Sequence, residues 1–164
     1  MIDTSSLPPF YPSARAAIVP AAALLGLLLA VALMHGLANG APPALGRNGW
    51  LALHIASVVP AVPLGAWVLA RRKGDALHRL LGRLWAVLML VAALSSFGLT
   101  HGRISWIHLL SILVLVTVPR GVLLAMRGHI AAHRRSMTLA YWGLVIAGFF
   151  TFLPGRLMGL WLYG

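Results

Sequence analysis

Five apolar runs, each about the length of a bilayer crossing and joined by short polar connections, leave this chain few ways to fold. The first, Ala16 to Met34, is 19 residues long, and about 20 apolar residues in a helix span a hydrocarbon core of about 30 Å. The next runs cover Trp50 to Ala70, Ala76 to about Leu99 with Asp75 as the expected N-cap, Ser105 (itself an expected N-cap) to Arg127, and about Ile130 to Leu153. Pro60 and Pro63 interrupt the second and Pro119 bends the fourth, because a proline inside a helix removes one hydrogen bond of the ladder. Composition agrees: 60% of the 164 residues are hydrophobic and 9% charged, against about 25% charged in soluble domains. The expected fold is all-α: a polytopic membrane protein with five transmembrane helices.

Connections this short leave no room for a soluble domain. Residues 1–13, rich in proline, read as an extended N-terminal arm, and 14–37 as the first transmembrane helix. Residues 49–155 form a four-helix membrane bundle, and 156–164, with Trp161 and Tyr163, an interfacial tail. Leu37 to Ala41 faintly resembles a signal-peptidase site, but the preceding run is too long for a signal-peptide core, so a retained helix is expected.

Thirteen Lys/Arg face two acids, Asp3 and Asp75, for a net charge of +11. Arg71, Arg72, Lys73, Arg79 and Arg83 gather at the second-to-third connection, and Arg120, Arg127, Arg134 and Arg135 at the fourth-to-fifth. The opposite side carries Arg47, Arg103 and Arg156. The positive-inside rule then places both clusters and the N-terminus in the cytoplasm and the C-terminus in the periplasm of a bacterial inner membrane. Flanking apolar helices, these cations suit anionic lipid headgroups rather than nucleic acid. Cysteine is absent, which excludes disulfides, thiolate metal sites and cysteine nucleophiles. Two acids in the whole chain exclude hydrolysis by paired carboxylates.

Polar residues recur in order. Leu53-His54-Ile55-Ala56-Ser57 matches Ile107-His108-Leu109-Leu110-Ser111; Arg72-Lys73-Gly74 matches Met126-Arg127-Gly128; His78-Arg79 matches His133-Arg134. The offset is 54 residues, then 55. Helices two to five therefore read as two copies of one hairpin, related by an axis along the membrane normal.

The repeat sorts the histidines into layers, His54 with His108 near the outer ends and His78 with His133 near the inner ends, roughly 20–25 Å apart at 1.5 Å per residue. Paired imidazoles inside a bundle suit the axial positions of haem b, in one or two copies. Arg79, Arg83 and Arg134 are then cations for the propionates of the inner haem, and Arg47 or Arg103 for the outer. Gly65, Gly82, Gly143 and Gly148 are small residues able to lie beside a macrocycle, and Met137 is a weaker axial candidate. Any single histidine at a helix end is as readily an interfacial residue; the paired layers favour haem. His35, His101 and His129 read as surface residues. Trp50, Trp85, Trp106 and Trp142 read as belt residues, while Gly26, Gly143 and Gly148 read more simply as close-packing positions.

On this reading the protein is a b-type cytochrome-like electron carrier, with a quinone or other subunits as partners. The alternative is a cofactor-free accessory subunit of a respiratory or photosynthetic complex; a small transporter is the weaker third.

His78-Arg79-Leu80-Leu81-Gly82-Arg83-Leu84-Trp85 and His133-Arg134-Arg135-Ser136-Met137 resemble the signature of a bacterial family of predicted membrane proteins, the domain of unknown function DUF2306. Its pattern runs His-Arg-x-x-Gly-Arg-x-aromatic, then His-Arg/Lys-x-x-Met and a terminal arginine, here Arg156. The resemblance covers about Leu51 to Arg156 and brings no activity with it. Family members often carry glutamine near Gly65, where Trp67-Val68 do not match. In layout alone the paired histidines are similar to di-haem transmembrane cytochromes of the b-561 type, in which helices two and four hold one haem and three and five the other.

Overall fold

The computed structural model describes residues 11–39, 48–71, 74–99 and 107–163, and the side chains from 16 onward. Among these the chain is all-helical: α1 (Tyr11–Ala38), α2 (Gly49–Ala70), α3 (Ala76–Gly98), α4 (His108–Met126), α5 (Ile130–Phe150) and a short α6 (Leu157–Tyr163). Helix α1 is already formed at Tyr11, so residues 11–13 belong to it rather than to an extended arm. Pro12 falls in its first turn, where a missing N–H costs nothing.

Side chains fix two of the starts. Asn48 accepts from the N–H groups of Trp50 and Leu51 at 3.1 and 3.3 Å, and Asp75 from His78 N–H at 2.7 Å, as its position predicts for a helix cap. Helix α4 begins at His108 with Ile107 in the cap position and no side-chain cap; the expected cap Ser105 lies outside the described residues. Gly74 and Gly128, matched in the repeat, turn the chain between α2 and α3 and between α4 and α5 at φ of +91° and +78°. That left-handed backbone is one that glycine adopts without strain.

The helices run antiparallel in sequence order. His54 near the start of α2 bonds Ala92 near the end of α3, and Ser96 near the end of α3 meets Ser111 near the start of α4 at 2.8 Å. His133 near the start of α5 bonds Gly121 near the end of α4. Helices α2 and α5 close the ring. Helix α1 packs outside it against α2, α5 and α6 through a stripe of Ile18, Ala22, Leu25, Leu29 and Ala32. Spacings of four and three keep that stripe on one face. The residues of the expected interfacial tail form α6, folded back on α1: Trp161 lies across Gly36, with its carbonyl against the His35 ring.

Four helices are long and apolar enough to cross a membrane: Ala16–Ala38 within α1, and the whole of α2, α3 and α4. Helix α5, 21 residues long, falls outside that set. Its first turns carry His133, Arg134 and Arg135.

The middle of the bundle is closed by Trp85 and Tyr141, 1% and 0% exposed. Trp85 Nε1–H donates to Ala61 O at 3.1 Å and Tyr141 O–H to Val62 O at 3.2 Å. The rings lie 6.3 Å apart. Trp85 is therefore a core residue and not the belt residue expected of it. Both rings reach α2 because Gly65 has no side chain: a Cβ there would overlap each of them. Gly65→Leu is expected to destabilise the protein by roughly 1–3 kcal/mol through overpacking, read as a lower unfolding midpoint in detergent. Gly26→Ala, where nothing lies within 4 Å of the added Cβ, is expected to leave that midpoint unchanged or slightly raised.

Candidate functional site

Between the middle layer and the α6 end lies a cavity of about 440 Å³, within the size range of small-molecule sites. It is lined by residues of α2, α3, α4 and α5, and α6 residues Leu157 and Met158 border it. Most of the lining is apolar, including Val58, Met89, Val114 and Leu144; the polar groups are His54, His108, Ser96, Ser111, Asn48, Thr151 and Arg156. Gly143, Ala147 and Gly148 keep the α5 wall low.

The structure thus brings both expected outer histidines to one space, from helices separated in the ring by α3 and α5. His108 is 2% exposed and packs against the Phe97 ring at 5.1 Å between centroids. His54 Nδ1 lies 2.9 Å from Ala92 O and 3.1 Å from Ser95 Oγ. A carbonyl only accepts, so Nδ1 carries the proton and the neutral ring keeps its lone pair on Nε2. Ser95 O–H itself donates to Ala92 O, so its oxygen is free to accept from the imidazole.

At the opposite end, His133 Nδ1 lies 2.8 Å from Gly121 O, which sets the same tautomer. His78 is half-buried one turn inside α3. The core beside this pair is filled by Trp85, Tyr141 and Met137, and Met137 packs on Gly121. Of the glycines expected beside a macrocycle, Gly143 and Gly148 line the α6-end cavity, Gly65 is covered by aromatic rings, and Gly82 has Val68 no nearer than 4.0 Å. Gly148 also receives the side chain of Leu25, as a close-packing position does, whereas Gly26 does not.

The arginines expected to serve the inner pair are spread. Arg79 Nη1 donates to Gly74 O at 2.6 Å, Arg83 is exposed on α3, and Arg134 is half-buried on α5. Met137 is buried. At the α6 end Arg156 lines the cavity; Arg47, Arg103 and His101 lie outside the described residues. His35 and His129 are exposed, as expected. No three His, Asp or Glu side chains converge among the described residues.

Sequence reasoning missed Asn48, Ser96 and Met89 as cavity walls. Ser96 stands opposite Ser111, and a pair of hydroxyls facing each other across two apolar helices is a signal that was legible.

A ring of apolar helices around a largely apolar, histidine-lined cavity defines an integral membrane protein. The chain belongs to the DUF2306 family of predicted membrane proteins, whose profile matches residues 51–160, from α2 into α6. No curated protein and no solved structure matches it.

At the α2–α3 turn, Asp75 pairs with Arg71 while capping α3. The N–H of His78, with the Arg71 charge beside it, holds the carboxyl below its usual value of 3.8. A carboxylate whose folded pKa is depressed stabilises the fold above the unfolded value and loses that contribution as pH falls through the folded one. The unfolding midpoint of Asp75→Ala is therefore expected to lie below that of the parent at pH 6, and the gap to shrink once the pH drops below about 4.

Proposed function

We propose that this protein is a b-type haem protein that carries electrons within the membrane, with His54 and His108 as the side chains that would hold the haem in the cavity at the α6 end. One observation carries the reading: the two histidines line a single cavity, and His54 is held with its lone pair on Nε2 by a proton given to Ala92 O. That arrangement, one ring nitrogen anchored to a carbonyl and the other left to a metal, is how ligating histidines are oriented and made more basic. The residues fit the group. The walls of the cavity are mostly apolar, Gly143 and Ala147 leave room beside a flat ring, and Arg156 is a cation for a propionate. Bound there, haem supplies a one-electron couple in a medium of low dielectric. The chain's part is to hold the two imidazoles, exclude water and shield the iron with Met89, Val114 and Leu144.

The same reading takes α5 as a fifth membrane crossing, with His133, Arg134 and Arg135 at its cytoplasmic end. It takes α2–α3 and α4–α5 as copies of one hairpin, in keeping with the matching left-handed glycines Gly74 and Gly128. The arginine-rich end faces the cytoplasm of a bacterial inner membrane and the cavity faces the periplasmic side, where a membrane quinone is a natural partner. A second haem between His78 and His133 is supported by the tautomer of His133 and opposed by the packed core beside it.

The test is a reduced-minus-oxidised spectrum of the purified protein with haem quantification. One haem per chain with a Soret band that shifts on reduction is expected, lost in His54→Ala and in His108→Ala and kept in His133→Ala. Two haems per chain, one of them lost in His133→Ala, would add the inner site. A colourless preparation that takes up no haem overturns the proposal and leaves an accessory subunit as the reading.

A further inference from the structure

The arginine-rich end carries more positive charge than the protein uses. At the α2–α3 turn, Asp75 is the carboxylate on hand, and it is engaged by Arg71 Nη2 and the His78 N–H. The Arg71 guanidinium lies over the Trp67 ring at 4.6 Å, with Nε and Nη1 buried and given no hydrogen-bond partner. Arg79 bends back to Gly74 O on the same turn, so both guanidinium groups converge on one short stretch of backbone. Buried N–H groups of a cation in an apolar medium cost free energy until an acceptor meets them.

Arg83 lies one turn beyond Arg79 and seven residues inside α3, about 10 Å from its first residue. Its side chain is exposed, on a surface shared with Leu80, Leu84 and Val87, which are also exposed. A cation at that depth reaches the headgroup plane by extending its stem along the helix. A soluble acidic partner has no access to it there, whereas a phosphate joined to acyl chains does.

We infer that the α2–α3 hairpin binds one anionic phospholipid, its phosphate held by Arg71, Arg79 and Arg83 and an acyl chain lying along Leu80, Leu84 and Val87. The net positive charge of the turn, raised further in sequence by Arg72 and Lys73, selects an anionic over a zwitterionic headgroup. The site is independent of haem and lies at the opposite end of the bundle.

Native mass spectrometry of the full chain, released from nanodiscs of mixed phosphatidylglycerol and phosphatidylethanolamine, tests this. One phosphatidylglycerol is expected to stay bound, with a preference over phosphatidylethanolamine of about thirtyfold, the scale set by two surface cations. Arg79→Gln with Arg83→Gln is expected to abolish the preference. Arg83→Gln alone, which breaks no hydrogen bond in the fold, is expected to weaken it several-fold, and Arg135→Gln, on the other hairpin, to leave it intact. Equal retention of both lipids, or a preference unchanged in the Arg79/Arg83 variants, overturns the inference. So does displacement of the lipid by millimolar inorganic phosphate, which would mean that the acyl track contributes nothing.

Discussion

Two side chains of helices that face each other across the ring, Trp85 of α3 and Tyr141 of α5, give their polar hydrogens to consecutive carbonyls of α2, and the rest of the bundle is arranged around that contact. In lipid there is no water to take an indole N–H or a phenol O–H, so each needs a protein acceptor. Gly65 makes those acceptors reachable by letting both rings lie directly on α2. Bonds of this kind are worth only about 0.6 kcal/mol each in membranes. Their effect lies in orientation: they set the rotation of α3 and α5 about α2, and with it the direction in which His54, His78, Met137 and the cavity walls point.

The histidines follow the same rule. His54 and His133 each give an Nδ1 proton to a carbonyl of the next helix, Ala92 and Gly121. Such a bond satisfies a ring in an apolar medium whether or not the other nitrogen has work to do. What separates the two ends is space. Beyond His54 the helices part around a cavity; beside His133 the side chains of Met137 and Tyr141 fill the bundle. The proposed haem site therefore rests on the conjunction of tautomer and room, and only the α6 end offers both.

Much of this was legible in the chain. The helical runs, the cap at Asp75 and the grouping of His54 with His108 followed from apolar length, from the need of a helix start for an acceptor and from the matched spacing of polar residues. Trp85 was misread as a belt residue although depth alone argued otherwise: nine residues separate it from Ala76, so it sits about 14 Å inside α3, too far from either end for a headgroup anchor. Its partners, Gly65 and Tyr141, lie on other helices, and a single sequence does not report which faces meet. The fold-back of α6 was hidden for the same reason. Its signals, Gly36 under Trp161 and Gly159 against the carbonyls of Phe152 and Leu153, are glycines whose purpose shows only when the opposing group is placed. Gly148 is a close-packing position, with Leu25 against it, and also lines the cavity.

The closed middle also bears on the proposed function. Ala61, Val62, Trp85, Val118, Ala140 and Tyr141 are buried to 1% exposure or less and span four helices. Interiors packed in this way transmit no solute without large rearrangement. The polar groups on either side of this layer, the histidine-lined cavity and the arginine-rich turns, are not joined by a hydrophilic path through it. A transporter needs such a path to open alternately to each face, with its substrate site near the bilayer midplane; here the side chains midway along the described helices are fully buried against one another. Electron transfer carries no such requirement, because an electron tunnels through packed protein and the helices need not move. A fold that seals its centre while keeping a cavity at one end and cations at the other is suited to holding a ligand and fixing its position in the membrane, and that is the sense in which the redox reading is consistent with every layer of the bundle.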